Sequence, residues 1–531
     1  MTKEDEKEVS ELRKASEQKK AKYNTAKSNK NSNVTKQKFM TIKRAAEHYR
    51  QEYVQWKVTL NILLFALFSV VVGIIFNVDW IYLIFMAIIG AVFYQAIIKT
   101  GYRKKYLAQR FSDINTYIEQ LCYSFLQERN VYSALKDTYE VFPEGNEMKK
   151  AIKTGLGLID NADVESYKEI ESDGLEAIEI QYKCEKIDNT HKMLMTSQKN
   201  GGDPTSMVDS LLKDRLVWEK ANDGLHKKTD KIKTLVKASV IVTLTLCGVM
   251  IRLLDSLKLG LSISRVSLLE IALIIVYALD LLIVYKSEST ELYDMNGDGH
   301  IGKDKDKQEK IMLEYYDQYL RYDERASWKK AVVYSIIPLI ITILFMIFHK
   351  TILMFIFLAI TILALFSHKI SHALQYRELV SEIRVAFPRW LMSINILVQN
   401  NNVYNSLNLS YDDAPAILKK EIAILLKALA VEPDSEKPFL DFLKDFEIPD
   451  IQSSMIMLYS AQRDMEHTTE TIKAVLDKNL NIYEQELDVK YDQATGGMYI
   501  LFTLPELTSS IKLLADIMYF FIAAMTTVGN F

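Results

Sequence analysis

Two stretches decide the reading. Asn130-Val131-Tyr132-Ser133-Ala134-Leu135-Lys136-Asp137-Thr138-Tyr139-Glu140-Val141-Phe142-Pro143 has a counterpart in Asn402-Val403-Tyr404-Asn405-Ser406-Leu407-Asn408-Leu409-Ser410-Tyr411-Asp412-Asp413-Ala414-Pro415. Asn130, Val131, Tyr132, Leu135, Tyr139 and Pro143 recur as Asn402, Val403, Tyr404, Leu407, Tyr411 and Pro415, without a gap, 272 residues on (402 − 130). A period that long is a duplicated domain rather than a solenoid repeat. Both copies follow a pair of strongly apolar segments and precede another apolar segment. In each copy the asparagine, tyrosines and proline fall at helix breaks and along helix faces, which marks a packing signature rather than a binding motif.

Working outward, the chain alternates apolar and charged blocks, which its average composition of 49% hydrophobic and 25% charged residues conceals. Nothing in the formal net charge of −3 suggests a nucleic-acid partner, and none is expected. Three widely spaced cysteines, Cys122, Cys184 and Cys247, form neither a metal pair nor a disulfide framework.

Residues 1–57 are polar, with fifteen Lys/Arg against eight Asp/Glu, and lack the apolar core of a cleaved signal. They read as a basic, solvated segment with some helix. Val58–Phe76 and Trp80–Ile98 form an apolar hairpin (58–98) around the polar turn Asn77-Val78-Asp79. A bilayer core takes about 20 apolar residues. The basic flanks, Lys99, Arg103, Lys104 and Lys105 among them, place the outer ends of the hairpin in the cytoplasm. Further spans are expected at Ala238–Leu254 and Ser267–Tyr285 (pair 232–286), at Ala331–Phe348 and Thr351–Ser367 (hairpin 331–367), and at Ile511–Val528 within 496–531, where Pro505-Glu506 interrupts the apolar run. Membrane lipid is thus an expected partner.

Between the spans, residues 99–231 and 368–495 are helix-compatible throughout. Ile114, Tyr117, Ile118, Leu121, Cys122 and Phe125 recur at three- and four-residue spacing. Glu128-Arg129-Asn130 and Phe142-Pro143 break the pattern, because proline disfavours helix in the residue before it. Gly201 and Gly202 end one helix, and Pro204 helps start the next. The fold class is therefore an all-α polytopic membrane protein, with two homologous cytoplasmic helical-bundle domains alternating with transmembrane helices.

Ionisable residues within spans are costly and face protein or a cavity. Arg252 and Glu270 fall at similar depth and are expected to pair. Asp280 lies near the inner end of its helix, and Lys512 and Asp516, one turn apart, form an internal pair. The linker 287–330 carries Asp294-Met295-Asn296-Gly297-Asp298-Gly299-His300-Ile301, the first half of a calcium loop, with oxygen ligands at Asp294, Asn296 and Asp298 and a further position at His300. Lys305 stands where the closing carboxylate belongs. The stretch reads as an Asx-rich turn, with a weak calcium site as the alternative. It also satisfies G-x-x-x-x-G-K through Gly297, Gly302 and Lys303, but Asp304 replaces the magnesium-binding hydroxyl, so a P-loop is rejected. His368 and His372 lie four apart without a third zinc ligand. No cofactor is expected.

The arrangement resembles the inner-membrane platform proteins of type II secretion and type IV pilus systems, most closely the tight-adherence (Flp-type) branch, with two platform units joined in one chain. The resemblance rests on Ala134-Leu135 and Ser406-Leu407 after a short break, and on Gly201-Gly202-Asp203 leading into Met207, Leu211, Leu212 and Arg215. It departs where Glu128 or Arg129, and Asn400-Asn401, replace the family's glycine, and where Asp464-Met465-Glu466-His467 replaces the double glycine. The resemblance implies a non-enzymatic role in the plasma membrane: the cytoplasmic domains contact a secretion or pilus assembly ATPase, the spans present pilin or pseudopilin subunits, and copies of the chain associate. A secondary transporter with internal repeats is the competing class. It gains if Asp280, Lys512 or Asp516 line a shared cavity. A membrane sensor built on the calcium-like loop is a third class.

Overall fold

A computed structural model describes residues 55–528 apart from 161–166, 202, 257–265, 298, 300–304, 349, 399–400, 413 and 464–467. The basic segment 1–54 therefore lies outside the described residues. Sixteen helices are described: α1 Gln55–Ile75, α2 Trp80–Glu128, α3 Val131–Val141, α4 Glu147–Asp160, α5 Tyr167–Tyr182, α6 Glu185–Asn200, α7 Thr205–Ser256, α8 Ser267–Ser289, α9 Lys305–Leu320, α10 Glu324–Ile347, α11 Thr351–Leu397, α12 Val403–Leu409, α13 Ala416–Val431, α14 Lys437–Asp441, α15 Pro449–Arg463 and α16 Thr468–Val528. No strand occurs among the described residues.

The order repeats. An apolar helix (α1, α10) turns within a few residues into a very long one (α2, 49 residues; α11, 47). A short capped helix follows (α3, α12), then α4 or α13, α5 or α14, and α6 or α15. A second long helix (α7, α16) closes each half. Only the first half continues, through α8 and α9, into its successor. Five helices, α2, α7, α8, α10 and α11, are long and apolar enough to cross a membrane. Among the described side chains of α1, the apolar stretch is Ile62–Ile75. Ile337, Leu268 and Ile352 lie 68%, 74% and 76% exposed. Apolar surface on that scale is stable in hydrocarbon rather than in water.

Pro505, which interrupts the apolar run of the C-terminal segment, does not interrupt the helix: α16 runs through it without a break. A helical proline forfeits the bond to the carbonyl four residues back. Neighbours secure this stretch instead: Ser239 Oγ donates to the Phe502 carbonyl at 3.1 Å, and Thr508 Oγ1 donates to Asp280 Oδ1 at 2.8 Å.

The chain divides into two compact units. One takes residues up to Arg110, Ile232–Glu291 and from Met498 onward. Its core is Val72, Phe76, Met86, Val240, Leu244, Cys247, Ile251, Leu273 and Tyr277. Helices approach closely there because Gly90 has no side chain. A Cβ at that position would stand 2.1 Å from Ser69 Oγ, which shares a 2.6 Å hydrogen bond with the Tyr277 hydroxyl. Small residues at such crossings let membrane helices pack backbone to backbone.

The other unit, Phe111–Lys231 with Leu292–Gly497, holds both repeat domains and the α10–α11 hairpin. Within it α7 and α16 lie side by side and run parallel. Lys213 Nζ meets Asp477 at 3.0 Å, Lys473 meets Asp209 at 2.9 Å, and Lys228 meets Asp492. Each pair is separated by 264 residues (477 − 213, 473 − 209, 492 − 228). In the first unit the same two helices meet through Ser239 with Phe502 and Cys247 with Ser509, 263 and 262 residues apart. The nearly constant separation shows that α7 and α16 run parallel in register. At every charged pair the sign is reversed between the halves.

Candidate functional site

The repeated stretch does local work. Asn130 and Asn402 each cap a helix N-terminus, accepting from the backbone N–H three residues on: Ser133 at 2.9 Å and Asn405 at 2.8 Å. Leu135 and Leu407 are wholly buried. The Tyr139 and Tyr411 rings each carry a lysine, Lys149 at 4.5 Å and Lys419 at 5.9 Å. Tyr132 donates to Asp160 at 2.7 Å, and Tyr404 is half-buried on α12. The two prolines part company. Pro143 follows the end of α3, whereas Pro415 is itself the residue preceding α13. Leu409 and Pro415 also line an open cleft with Glu185, Lys192 and Arg389.

Arg129 sits at φ 52°, the left-handed conformation glycine adopts without strain. Gly201 ends α6 at φ 72°, its N–H bonded to the Ser197 carbonyl; Gly202 lies outside the described residues. The structure brings these two breaks together. Gln198 accepts from the Val131 N–H at 2.6 Å, and Arg129 approaches Asp203 at 3.9 Å.

In the calcium-like loop the Asp294 carboxylate is fully buried and engaged. Oδ1 accepts from the Gly297 N–H, and Oδ2 from the Gly299 N–H and the Tyr491 hydroxyl, all at 2.9 Å. The Asn296 carbonyl accepts from the Glu185 N–H at 2.7 Å. Gly297, at φ 72°, passes over Lys186, where a Cβ would stand 2.5 Å from Cγ. Asp294, Gly297 and Gly299 thus form an Asx turn packed over a lysine stem. Asp298 and His300 lie outside the described residues. His368 packs on Trp328, and His372 between Tyr319 and Tyr322, so their roles are aromatic contacts.

Arg252 and Glu270 do not pair; this corrects the expectation from their depth. Arg252 donates to the carbonyls of Ile75 (2.8 Å) and Ile74 (2.6 Å) at the end of α1. Glu270 Oε1 accepts from the Asp79 N–H at 2.8 Å, just ahead of α2. Each charge complements a helix terminus of opposite polarity in the first hairpin. Lys512 and Asp516 do pair, both buried. Together with Glu270 they line a small cavity, while Asp280 stands apart, bonded to Thr508.

Two buried clusters have no signature in the sequence. Lys186 Nζ reaches both oxygens of Asp214 at 2.6 Å and lies 5.0 Å from the Tyr483 ring centre. Burial alone would discharge the ammonium, but Asp214 outweighs it and holds Lys186 charged. The second is a chain from Glu179 to His191 Nδ1 (2.8 Å) and from His191 Nε2 to the Tyr117 hydroxyl (2.7 Å). Burial pushes His191 below its ordinary range despite Glu179. It also pushes the Cys122 and Cys184 thiols up to about 12, leaving them protonated and inert. Compared with protein-family models, curated proteins and solved structures, the chain has no match.

Proposed function

We propose that the chain is a non-enzymatic membrane platform for assembling a fibre of the type IV pilus or type II secretion class, in its tight-adherence form. In this reading a cytoplasmic assembly ATPase acts on the helical repeats, and pilin subunits in the plasma membrane meet the spans. The observation that carries it is the twofold succession of apolar hairpin, helical bundle and long closing helix. In each half that closing helix, Thr205–Ser256 or Thr468–Val528, passes from charged, ion-paired turns into apolar ones without a break. Such a helix transmits displacement along its axis. Buried thiols and an occupied Asp294 carboxylate agree with a role in assembly rather than in chemistry. The test is co-purification of the detergent-solubilised chain with a secretion-type ATPase and pilin of the same cell, combined with deletion of the gene. Intact surface fibres after deletion, together with no ATPase association, refute the platform.

A polytopic transporter is the second reading, favoured by the cavity that Lys512 and Asp516 share with Glu270. Solute uptake by proteoliposomes holding only this chain distinguishes it.

A further inference from the structure

Glu270, Lys512 and Asp516 meet at a cavity of about 10 Å³, otherwise walled by Phe76, Val78, Ile251 and two leucines of α8. That is roughly the space of one water. Glu270, 3% exposed, spends Oε1 on the Asp79 N–H and leaves Oε2 without a partner. Asp516, wholly buried, spends Oδ1 on Lys512 and leaves Oδ2 without a partner. Two carboxyl groups thus face one ammonium in apolar surroundings. With all three ionised, the side chains carry one negative charge in excess, which the partial charge of the α2 N-terminus offsets only in part, and a buried carboxyl in that position takes up a proton instead.

The other charged and titratable groups on the packed elements are committed elsewhere. Arg252 is exposed and bonded to the Ile74 and Ile75 carbonyls, Asp79 is exposed, and Asp255 at the end of α7 has its own partner. Asp280 takes Thr508, Tyr277 takes Ser69, and Cys247 takes the Ser509 carbonyl. We propose that this cavity is a proton-binding site within the membrane, in which Glu270 and Asp516 share one proton through a single water while Lys512 balances the second charge. The apolar walls supply no side-chain oxygens for an alkali ion. Because Glu270 also caps α2, the charge state of the site bears directly on the hairpin turn. The inference stands independently of the platform reading.

Infrared spectroscopy of the full chain in lipid at neutral pH tests it through the C=O stretch of protonated carboxyl groups. Asp280 contributes equally to all samples and cancels on subtraction. Glu270→Gln and Asp516→Asn each leave one carboxylate for one ammonium, so each loses the signal of one protonated carboxyl per chain. Lys512→Met leaves two carboxyls and no ammonium, so it gains one, an opposite change that a merely misfolded variant does not produce. Unchanged signal in both carboxyl variants overturns the site. Loss in only one of them overturns the sharing. A wild type without the signal, whose thermal stability depends on sodium rather than choline, overturns the proton in favour of an alkali ion.

Discussion

Replacing Lys186 by Met tests a buried ion pair outside the spans. The lysine and Asp214 side chains are 3% and 5% exposed, with both carboxylate oxygens 2.6 Å from Nζ. Methionine fits the space of the lysine stem but leaves Asp214 charged, dry and unpaired. Breaking a buried pair on one side costs about 3–5 kcal/mol. At ~2–4 °C per kcal/mol, that lowers the apparent Tm by on the order of 10 °C. Replacing both members, Lys186→Met with Asp214→Leu, removes the charge and the partner together and recovers most of the loss, since an apolar pair of similar volume is about neutral. The Tyr483 hydroxyl, 3.3 Å from Nζ, is a lesser contributor, and Tyr483→Phe costs about 1 kcal/mol. Circular dichroism of the solubilised protein during denaturation reads all three variants. A double variant no more stable than Lys186→Met, or a single variant costing under ~1 kcal/mol, refutes the reasoning.

Three further outcomes are expected. Asn130→Ala and Asn402→Ala each remove one helix cap and lose about 1 kcal/mol; denaturation midpoints that differ severalfold between them would deny the equivalence of the two caps. His191 protonates less readily folded than unfolded, so stability is full above its ordinary range near 6.5 and falls as pH drops below it. His191→Gln flattens that slope, and an unchanged acid limb in the variant counts against it. Lys213→Asp and Asp477→Lys each set like charges face to face, whereas the double variant restores an opposite pair. Both side chains are about 40% exposed, so the rescue is only ~0.2–1 kcal/mol and fades with salt; a double variant no better than either single, at low salt, contradicts the pairing.

What the sequence carries well is whatever is local. The breaks at Arg129–Asn130 and Gly201, the caps on Asn130 and Asn402, and the pairing of Lys512 with Asp516 all follow from spacing within one or two turns. Level along the helices is legible too, since Arg252 and Glu270 both bond at the turn of the first hairpin. Direction around a helix axis is not. Arg252 and Glu270 share a level, but each is turned toward a different terminus of the first hairpin. Around Pro505 the sequence leaves the helix open, and contacts of Ser239 with Phe502 and of Thr508 with Asp280 hold it. Lys186 with Asp214, 28 residues apart, and the chain from Glu179 to Tyr117 are set by tertiary packing alone. The α7–α16 pairs were hidden for another reason. A search for repeats scores identity, and here Lys213 answers to Asp477 and Asp209 to Lys473.

That reversal of sign has a consequence for kinship between the halves. At a true two-fold axis every residue meets its own copy, so two first halves would set Lys213 against Lys213 and Lys228 against Lys228. Two second halves would oppose aspartates in the same places. Each half is therefore built to reject itself and accept the other. Severed halves expressed together should therefore find each other rather than their own kind.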